Sequence, residues 1–193
     1  KLSLSKTPMA DHKIFKNFFA GLWEIIEVLA IALIIVVIVR NYLVQPFLVS
    51  GASMYPTFSD GNYLLIDKLS YRFKDPERGD VIVFRYPKDH STFYIKRIIA
   101  LPEEKIISEN GEIKIIKDGQ EKTLNETYLR DSFRDNFSYS LGKDEYFVMG
   151  DNRNRSSDSR YWGSVKKNEV VGLVKLRIFP IRDFALFSAP AYN

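Results

Sequence analysis

The stretch Thr92-Phe-Tyr-Ile-Lys-Arg-Ile-Ile-Ala100 is rich in bulky side chains and has neither glycine nor proline. It predicts a β-strand, in which successive side chains point to opposite faces of a sheet. Tyr94, Lys96, Ile98 and Ala100 then share one face, and Phe93, Ile95, Arg97 and Ile99 share the other. Runs of similar character lie on both sides. Tyr63-Leu-Leu-Ile66 follows the turn signal Asp60-Gly61, and Val81-Ile-Val-Phe84 follows Arg78-Gly79-Asp80. Lys105-Ile-Ile107 and Ile113-Lys-Ile-Ile116 flank Asn110-Gly111, a good signal for a tight hairpin, and Asp118-Gly119 marks the next turn. Tyr146-Phe-Val-Met149 and Val170 to Phe179 complete the set. About seven or eight strands in roughly 150 residues, with no long amphipathic helix, predict a mainly β domain with antiparallel sheets. The polar segment from Asp131 to Lys143 reads as a long loop.

Before residue 42 the pattern is different. Leu22 to Val39 reads LWEIIEVLAIALIIVVIV, and Val28 to Val39 carries no charge. Crossing a bilayer takes roughly 20 apolar residues. The stretch reaches that length if it runs on toward Val44, or if Glu24 and Glu27 sit at the interface. Trp23 and Tyr42 lie near its ends, where amphipathic aromatics prefer to sit. A cleaved signal peptide is one competing reading, since the uncharged core is short and Ser50-Gly51-Ala52 is small enough to be cut. A buried core helix is another. The preferred reading is an uncleaved anchor at 22–41, with a cytoplasmic segment at 1–21 and an outer domain at 42–193. Lys1, Lys6, Lys13 and Lys16 precede the span, and after it Arg40 is the only basic residue before Lys68. The positive-inside rule then places the N-terminal side in the cytoplasm and the β domain outside.

Composition narrows the function. The 193 residues carry 28 Lys and Arg against 24 Asp and Glu, a net charge of +4 without a dense basic patch, which disfavours nucleic acid as a partner. There is no cysteine, which excludes a disulfide scaffold, a cysteine-ligated metal and a cysteine nucleophile. The two histidines, His12 and His90, are too few for a multi-histidine metal site.

Three segments hold residues suited to chemistry. In Ser50-Gly-Ala-Ser-Met-Tyr-Pro-Thr57, small neighbours leave the Ser53 hydroxyl accessible, although a plain turn would look the same. Lys96 has bulky, largely apolar neighbours on its own strand face. Burial there lowers a lysine pKa, and a neutral lysine is a competent general base; the plain alternative is a lysine that snorkels to water. Gly150-Asp-Asn-Arg-Asn-Arg-Ser-Ser-Asp-Ser-Arg-Tyr-Trp-Gly163 is either a solvated loop or a pinned one that presents hydroxyls and an Asp–Arg pair. A serine hydroxyl needs an adjacent base to act as a nucleophile. His12 lies on the inner side of the span, which leaves only His90 for a histidine base. A Ser-Lys pair remains as a known variant of the same chemistry.

Four boxes now stand in order: Ser50 to Thr57, Gly79-Asp-Val-Ile-Val-Phe84, Lys96-Arg-Ile-Ile-Ala-Leu-Pro102 and Gly150 to Gly163. Together with the preceding apolar span they resemble the sequence boxes of bacterial type I signal peptidases, and the likeness covers nearly the whole chain. The resemblance implies a mainly β fold whose core is shared with LexA-like self-cleaving repressors. It implies that Ser53 is the nucleophile, Lys96 the general base and Ser156 the hydroxyl that orients it. Asp158 and Arg160 would support the site, and Gly150, Asp151 and Asn152 would form the loop beside it. Phe47 and Val49 would line pockets for small side chains before the cleaved bond, and backbone N–H groups at Ser53 and Gly51 would form the oxyanion hole. No metal or organic cofactor is implied.

The implied partners are preproteins bearing signal peptides, the lipid bilayer and, by proximity, the export translocon. The implied location is the bacterial cytoplasmic membrane, crossed once, with the catalytic domain on the outer face. The chain departs from the family pattern in two places. Gly51 stands where some members carry a serine, so Gly51→Ser is expected to be tolerated. Ala100-Leu-Pro-Glu-Glu104 replaces a more usual Gly-Leu-Pro-Gly-Asp. The variable cap insertion, near 103–145, is expected to be small. Two rival readings are weaker. A self-cleaving regulator predicts a DNA-binding N-terminal part in place of the apolar span. An anchored β binding module gives no reason for Ser53 and Lys96 to lie together. Of the sequons at Asn125, Asn136 and Asn154, the last falls inside the proposed site loop, which suits a bacterial setting.

Overall fold

The computed structural model of the chain describes residues 9–190 and Tyr192. Lys1 and Lys6, on which the orientation argument partly rests, lie outside the described residues, as do the side chains of His12, Lys13 and Lys16. The chain divides into two compact units, Lys1–Tyr42 and Leu43–Asn193. The first holds helix α1, Met9–Ile38. Its window Gly21–Ile38 has a mean hydropathy of 2.6, and none of that window is buried. At 1.5 Å per residue, eighteen helical residues extend about 27 Å, close to the thickness of a bilayer's hydrocarbon core. By length and composition the window is a candidate membrane span.

The second unit is built from short strands. They are β1 Val44–Leu48, β2 Tyr63–Asp67, β3 Val81–Tyr86, β4 Asp89–Ala100, β5 Lys105–Glu109, β6 Glu112–Lys117, β7 Gln120–Thr123, β8 Phe137–Ser140, β9 Glu145–Met149, β10 Val165–Lys166, β11 Val170–Phe179 and β12 Ala185–Leu186. One four-residue helix, α2 Ser159–Trp162, precedes β10. The larger sheet has the order β1-β2-β11-β3-β4-β9-β10, with β12 on β11, and the smaller has the order β7-β6-β5-β8. All the pairings are antiparallel. The mainly β, antiparallel expectation is therefore what the structure shows.

Strand β3 explains how the larger sheet is held. Val81 and Val83 pack into one apolar cluster with Val49, Met54, Phe58, Leu64 and Ile66. Ile82 and Phe84, which point the other way, pack with Ile98, Tyr146 and Val148. An uninterrupted apolar run is what a strand covered on both faces requires. Ile82 pairs with Lys96 across β3 and β4, so the lysine is anchored in the middle of this sheet.

The Asn110-Gly111 hairpin forms as expected. Both residues have positive φ, 52° and 87°, as a tight two-residue turn demands. Gly111 is further constrained, because a Cβ there would fall 1.9 Å from the Phe133 carbonyl oxygen.

The segment from Asp131 to Lys143 is not simply a loop. It contains β8, which pairs with β5. Phe137 stacks on Phe147 with centroids 5.5 Å apart, and Tyr139 packs on the same ring. Two aromatics spaced by serines give that strand an apolar face that its polar average conceals. Strand β1 was equally hidden, because Pro46 removes a backbone donor. A proline is tolerated on an edge strand, and β1 is the edge of its sheet.

Candidate active site

Ser53 lies in the loop between β1 and β2. The loop is closed at its base by Val49 N–H to the Asn62 carbonyl (2.9 Å) and Gly61 N–H to the Val49 carbonyl (3.0 Å). Met54 and Phe58, both fully buried, plug the loop into the apolar cluster beneath it. From the other side, Asn152 donates its backbone N–H to the Ser53 carbonyl (3.0 Å) and its Nδ2 to the Ala52 carbonyl (3.1 Å). The two loops touch so closely at Gly150 that a Cβ there would fall 2.4 Å from the Ser53 carbonyl oxygen and 2.3 Å from Ser156 Oγ.

Lys96 reaches this loop from β4. Its Nζ lies 2.8 Å from Ser53 Oγ and 2.9 Å from the Ile95 carbonyl oxygen. The residue is 4% exposed, and the Tyr94 ring lies 5.3 Å from the amine. Burial lowers the Lys96 pKa to about 8, although the Asp158 and Asp151 carboxylates pull it back up. A minority of the amine is thus neutral near physiological pH and able to accept a proton, a far larger share than for a free lysine.

Buried ion pairs hold the surrounding loop. Asp158, wholly buried, accepts from Gly150 N–H (3.1 Å) and from Arg160 Nε (2.8 Å) and Nη2 (2.9 Å). Arg160 also donates to the Arg153 carbonyl (2.6 Å), which ties the two ends of the loop together. Arg97 grips Asp151 with two parallel hydrogen bonds, Nε to Oδ1 at 2.8 Å and Nη2 to Oδ2 at 2.7 Å. Asp151 in turn accepts from Thr57 Oγ1 at 2.5 Å, joining the site loop to the Ser53 loop. Buried charges of this kind persist only when paired and hydrogen-bonded.

A cleft of about 230 Å³ opens beside the pair, lined by Phe47, Val49, Ser53, Leu64, Val83 and Lys96 among others. Phe47 meets Phe93 edge to face at 5.5 Å, and Val49 is 5% exposed. Its floor is apolar and shallow. Two strand edges border it. Among the described residues nothing pairs with β1 on the side away from β2, and β9 pairs with β4 only from Arg97 onward.

Two expected roles are not met in this geometry. The Ser156 hydroxyl makes no hydrogen bond to Lys96. Its Oγ is buried without a partner among the described residues, and the Ile95 carbonyl is instead the second group on the amine. The Gly51 N–H is not open for an oxyanion either, because it donates to Asp60 Oδ1 at 2.7 Å. The Ser53 N–H donates to no group among the described residues and stays available. Gly51 also has φ +91°, a conformation in which an L side chain is strained even with open space around it. The expected tolerance of serine at this position is therefore corrected. Gly51→Ser and Gly51→Ala should each lower stability by about 1–2 kcal/mol, measured by denaturant unfolding.

Comparison with known proteins now decides the family. The family model described as signal peptidase, peptidase S26, matches residues 22–179. The chain belongs to this family. A probable signal peptidase I-1 of Synechocystis sp. is 35% identical over 165 residues, covering 81% of this chain and 82% of that protein. Signal peptidase I P of Bacillus subtilis subsp. natto is 36% identical over 168 residues, covering 81% of this chain and 88% of the relative. A crystal structure of a signal peptidase I from Enterococcus faecalis V583 aligns with a TM-score of 0.46 at 31% identity, over 52% of this chain and 97% of that one. As a member of this family the chain is a serine peptidase, a hydrolase.

Several residues that shape this peptidase's site escaped the sequence reading. Asp60 braces Gly51, Thr57 and Arg97 hold Asp151, and Glu126 pairs with the buried Arg153. Arg97 was the one open to discovery. An arginine on a strand face otherwise filled by Phe93, Ile95 and Ile99 needs a buried carboxylate, and Asp151 was a candidate already in hand.

Proposed function

We propose that this chain removes signal peptides from exported preproteins through a Ser53–Lys96 dyad. The observation that supports this reading is the 2.8 Å approach of a desolvated lysine amine to a serine hydroxyl at the edge of an apolar cleft. Neutral Lys96 takes the Ser53 proton as Ser53 Oγ attacks the carbonyl carbon of the scissile bond. The Ser53 N–H stabilises the oxyanion that develops. Protonated Lys96 then delivers its proton to the leaving amine, and the signal peptide remains esterified to Ser53. Lys96 next activates a water that hydrolyses the ester. Asp158–Arg160 and Arg97–Asp151 keep the loops in register; the Ile95 carbonyl holds the Lys96 amine, and the Ser156 hydroxyl, without a partner among the described residues, would have to turn toward Lys96 to help orient it.

An extended preprotein segment would pair with the open edges of β1 and β4 and present alternate side chains to the cleft. With Phe47 and Val49 as walls, only small side chains fit at the residue before the cut and two residues earlier. Val49→Ala should deepen the pocket and relax that preference about 10-fold or more at one of these positions, read by cleavage-site profiling on a precursor library. Residues 22–41 serve as the anchor, crossing the bacterial cytoplasmic membrane once with the N-terminal side inside. The domain at 42–193 then works on the outer face, close to where preproteins emerge from the translocon.

The test is cleavage of a preprotein by the full chain in lipid vesicles, with the new N-terminus sequenced. A single cut after a small residue, lost when that residue is made bulky, is expected. Binding without hydrolysis would favour a binding module, and cutting confined to the chain itself would favour a self-cleaving regulator. Protease added outside right-side-out vesicles should digest the β domain; a protected domain would reverse the orientation.

A further inference from the structure

After β12 the chain turns back across the sheet. The Phe187 N–H donates to the Lys175 carbonyl (2.8 Å), and the Phe187 ring packs on Phe58 at 4.5 Å. Further on, the segment lies over Gly79, where a Cβ would meet Pro190 Cδ and Tyr192 Cε2, each at 2.9 Å. Lys122 of β7 donates to the Tyr192 carbonyl at 2.7 Å. The Tyr192 hydroxyl donates to the Tyr128 hydroxyl at 3.2 Å, with the two rings edge to face at 6.3 Å.

Two groups under this segment help Asp151 to hold Arg97. The Gly79 carbonyl accepts from Arg97 Nη1 at 2.8 Å, and the Tyr128 ring lies 4.2 Å from the guanidinium. Arg97 holds Asp151. A second line leaves Tyr128, whose hydroxyl donates to Glu126 Oε1 at 2.6 Å. Glu126 binds Arg153, and Arg153 Nε donates to the Gly150 carbonyl at 3.0 Å. Both lines end on Gly150 and Asp151, next to the Asn152 that holds the Ser53 and Ala52 carbonyls.

We propose that Tyr192 is a positioning residue, and that Phe187 to Pro190 together with Tyr192 form a strap that fixes the Gly150–Asn152 loop and, through it, Ser53 against Lys96. The kinetic consequence rests on the Ser53–Lys96 reading; the mechanical one does not. Beside the strap lies a cavity of about 190 Å³ that Arg97, Phe187, Ser188 and Ala189 help to line. Loosening the strap would let water reach the guanidinium and compete for its hydrogen bonds. A purely structural role, packing Tyr192 onto the core of the smaller sheet, would stabilise the fold without acting on the site loop.

Full-length Tyr192→Ala, Tyr192→Phe and Lys122→Met separate these roles. Tyr192→Ala should lower kcat about tenfold with KM within about twofold, because the Ser53 geometry suffers and the cleft does not. Tyr192→Phe keeps the ring over Gly79 and Tyr128 and should restore most of that kcat. Lys122→Met, an exposed change that spares the fold, should shift kcat in the same direction by about two- to threefold. Amide hydrogen exchange over 150–156 should quicken several-fold in Tyr192→Ala, while β3 is unchanged. Unchanged exchange in 150–156, or loss of activity only in proportion to unfolded protein, would overturn the proposal. If the parent chain cleaves no preprotein, the peptidase reading fails, and the exchange measurement still judges the strap.

Discussion

Ser53→Ala and Lys96→Ala should each abolish preprotein cleavage, by about 10⁴-fold or more in kcat/KM, in proteins that keep their fold. Ser53 carries the hydroxyl that Lys96 reaches, at 2.8 Å, and among the described residues no second serine hydrogen-bonds that amine. Lys96→Arg should be equally inactive, because a guanidinium cannot give up its proton to become a base. The double variant should lose no more than either single one, since the two groups would act as a unit. His90 offers the control. Its side chain is 64% exposed and lies 3.2 Å from Glu169, and it is not among the residues lining the cleft. His90→Ala should stay within about twofold of the parent. Steady-state kinetics with circular dichroism on each variant checks all of these. Activity in Lys96→Ala together with its loss in His90→Ala would remove the dyad.

Gly150→Ala should be nearly as damaging, for a steric reason. The added methyl would fall 2.4 Å from the Ser53 carbonyl oxygen and 2.3 Å from Ser156 Oγ. A serine side chain can turn away, but the carbonyl is backbone in a loop pinned by Asn152 and plugged by Met54 and Phe58. Relief must come from separating the two loops, which moves Ser53 relative to Lys96. A displacement of about 1 Å at a reacting group costs about 10²-fold in rate, and overpacking costs about 1–3 kcal/mol of stability. The expected result is a folded protein with kcat reduced about 10²-fold. Ser156→Gly in the same chain should not restore it, because the Ser53 carbonyl remains in the way. Full activity in Gly150→Ala would mean that the loops separate without disturbing the dyad.

What the sequence revealed and what it concealed divide along physical lines. Strand β4 and the Asn110-Gly111 turn were legible because side-chain alternation and positive φ leave local marks. A serine's need for a base left a Ser-Lys pair open, and the resemblance to type I signal peptidases implied that the pair is Ser53 and Lys96. Glu126 was not legible as the partner of Arg153. Twenty-seven positions separate them, and no local pattern marks the pair. The engagement of the Gly51 N–H by Asp60 was hidden for a similar reason, because a backbone donor carries no sign of where it points. Strand β8 was lost to its polar average.

The dependence of kcat/KM on pH tests the central claim most directly. The base must be neutral to accept the Ser53 proton, so activity is present above the Lys96 pKa and is lost as pH falls through it. The account predicts an acid limb of one proton with an apparent pKa of about 8. A limb near a free lysine's roughly 10.4, or near a histidine's roughly 6.5, would contradict a desolvated Lys96 as the base.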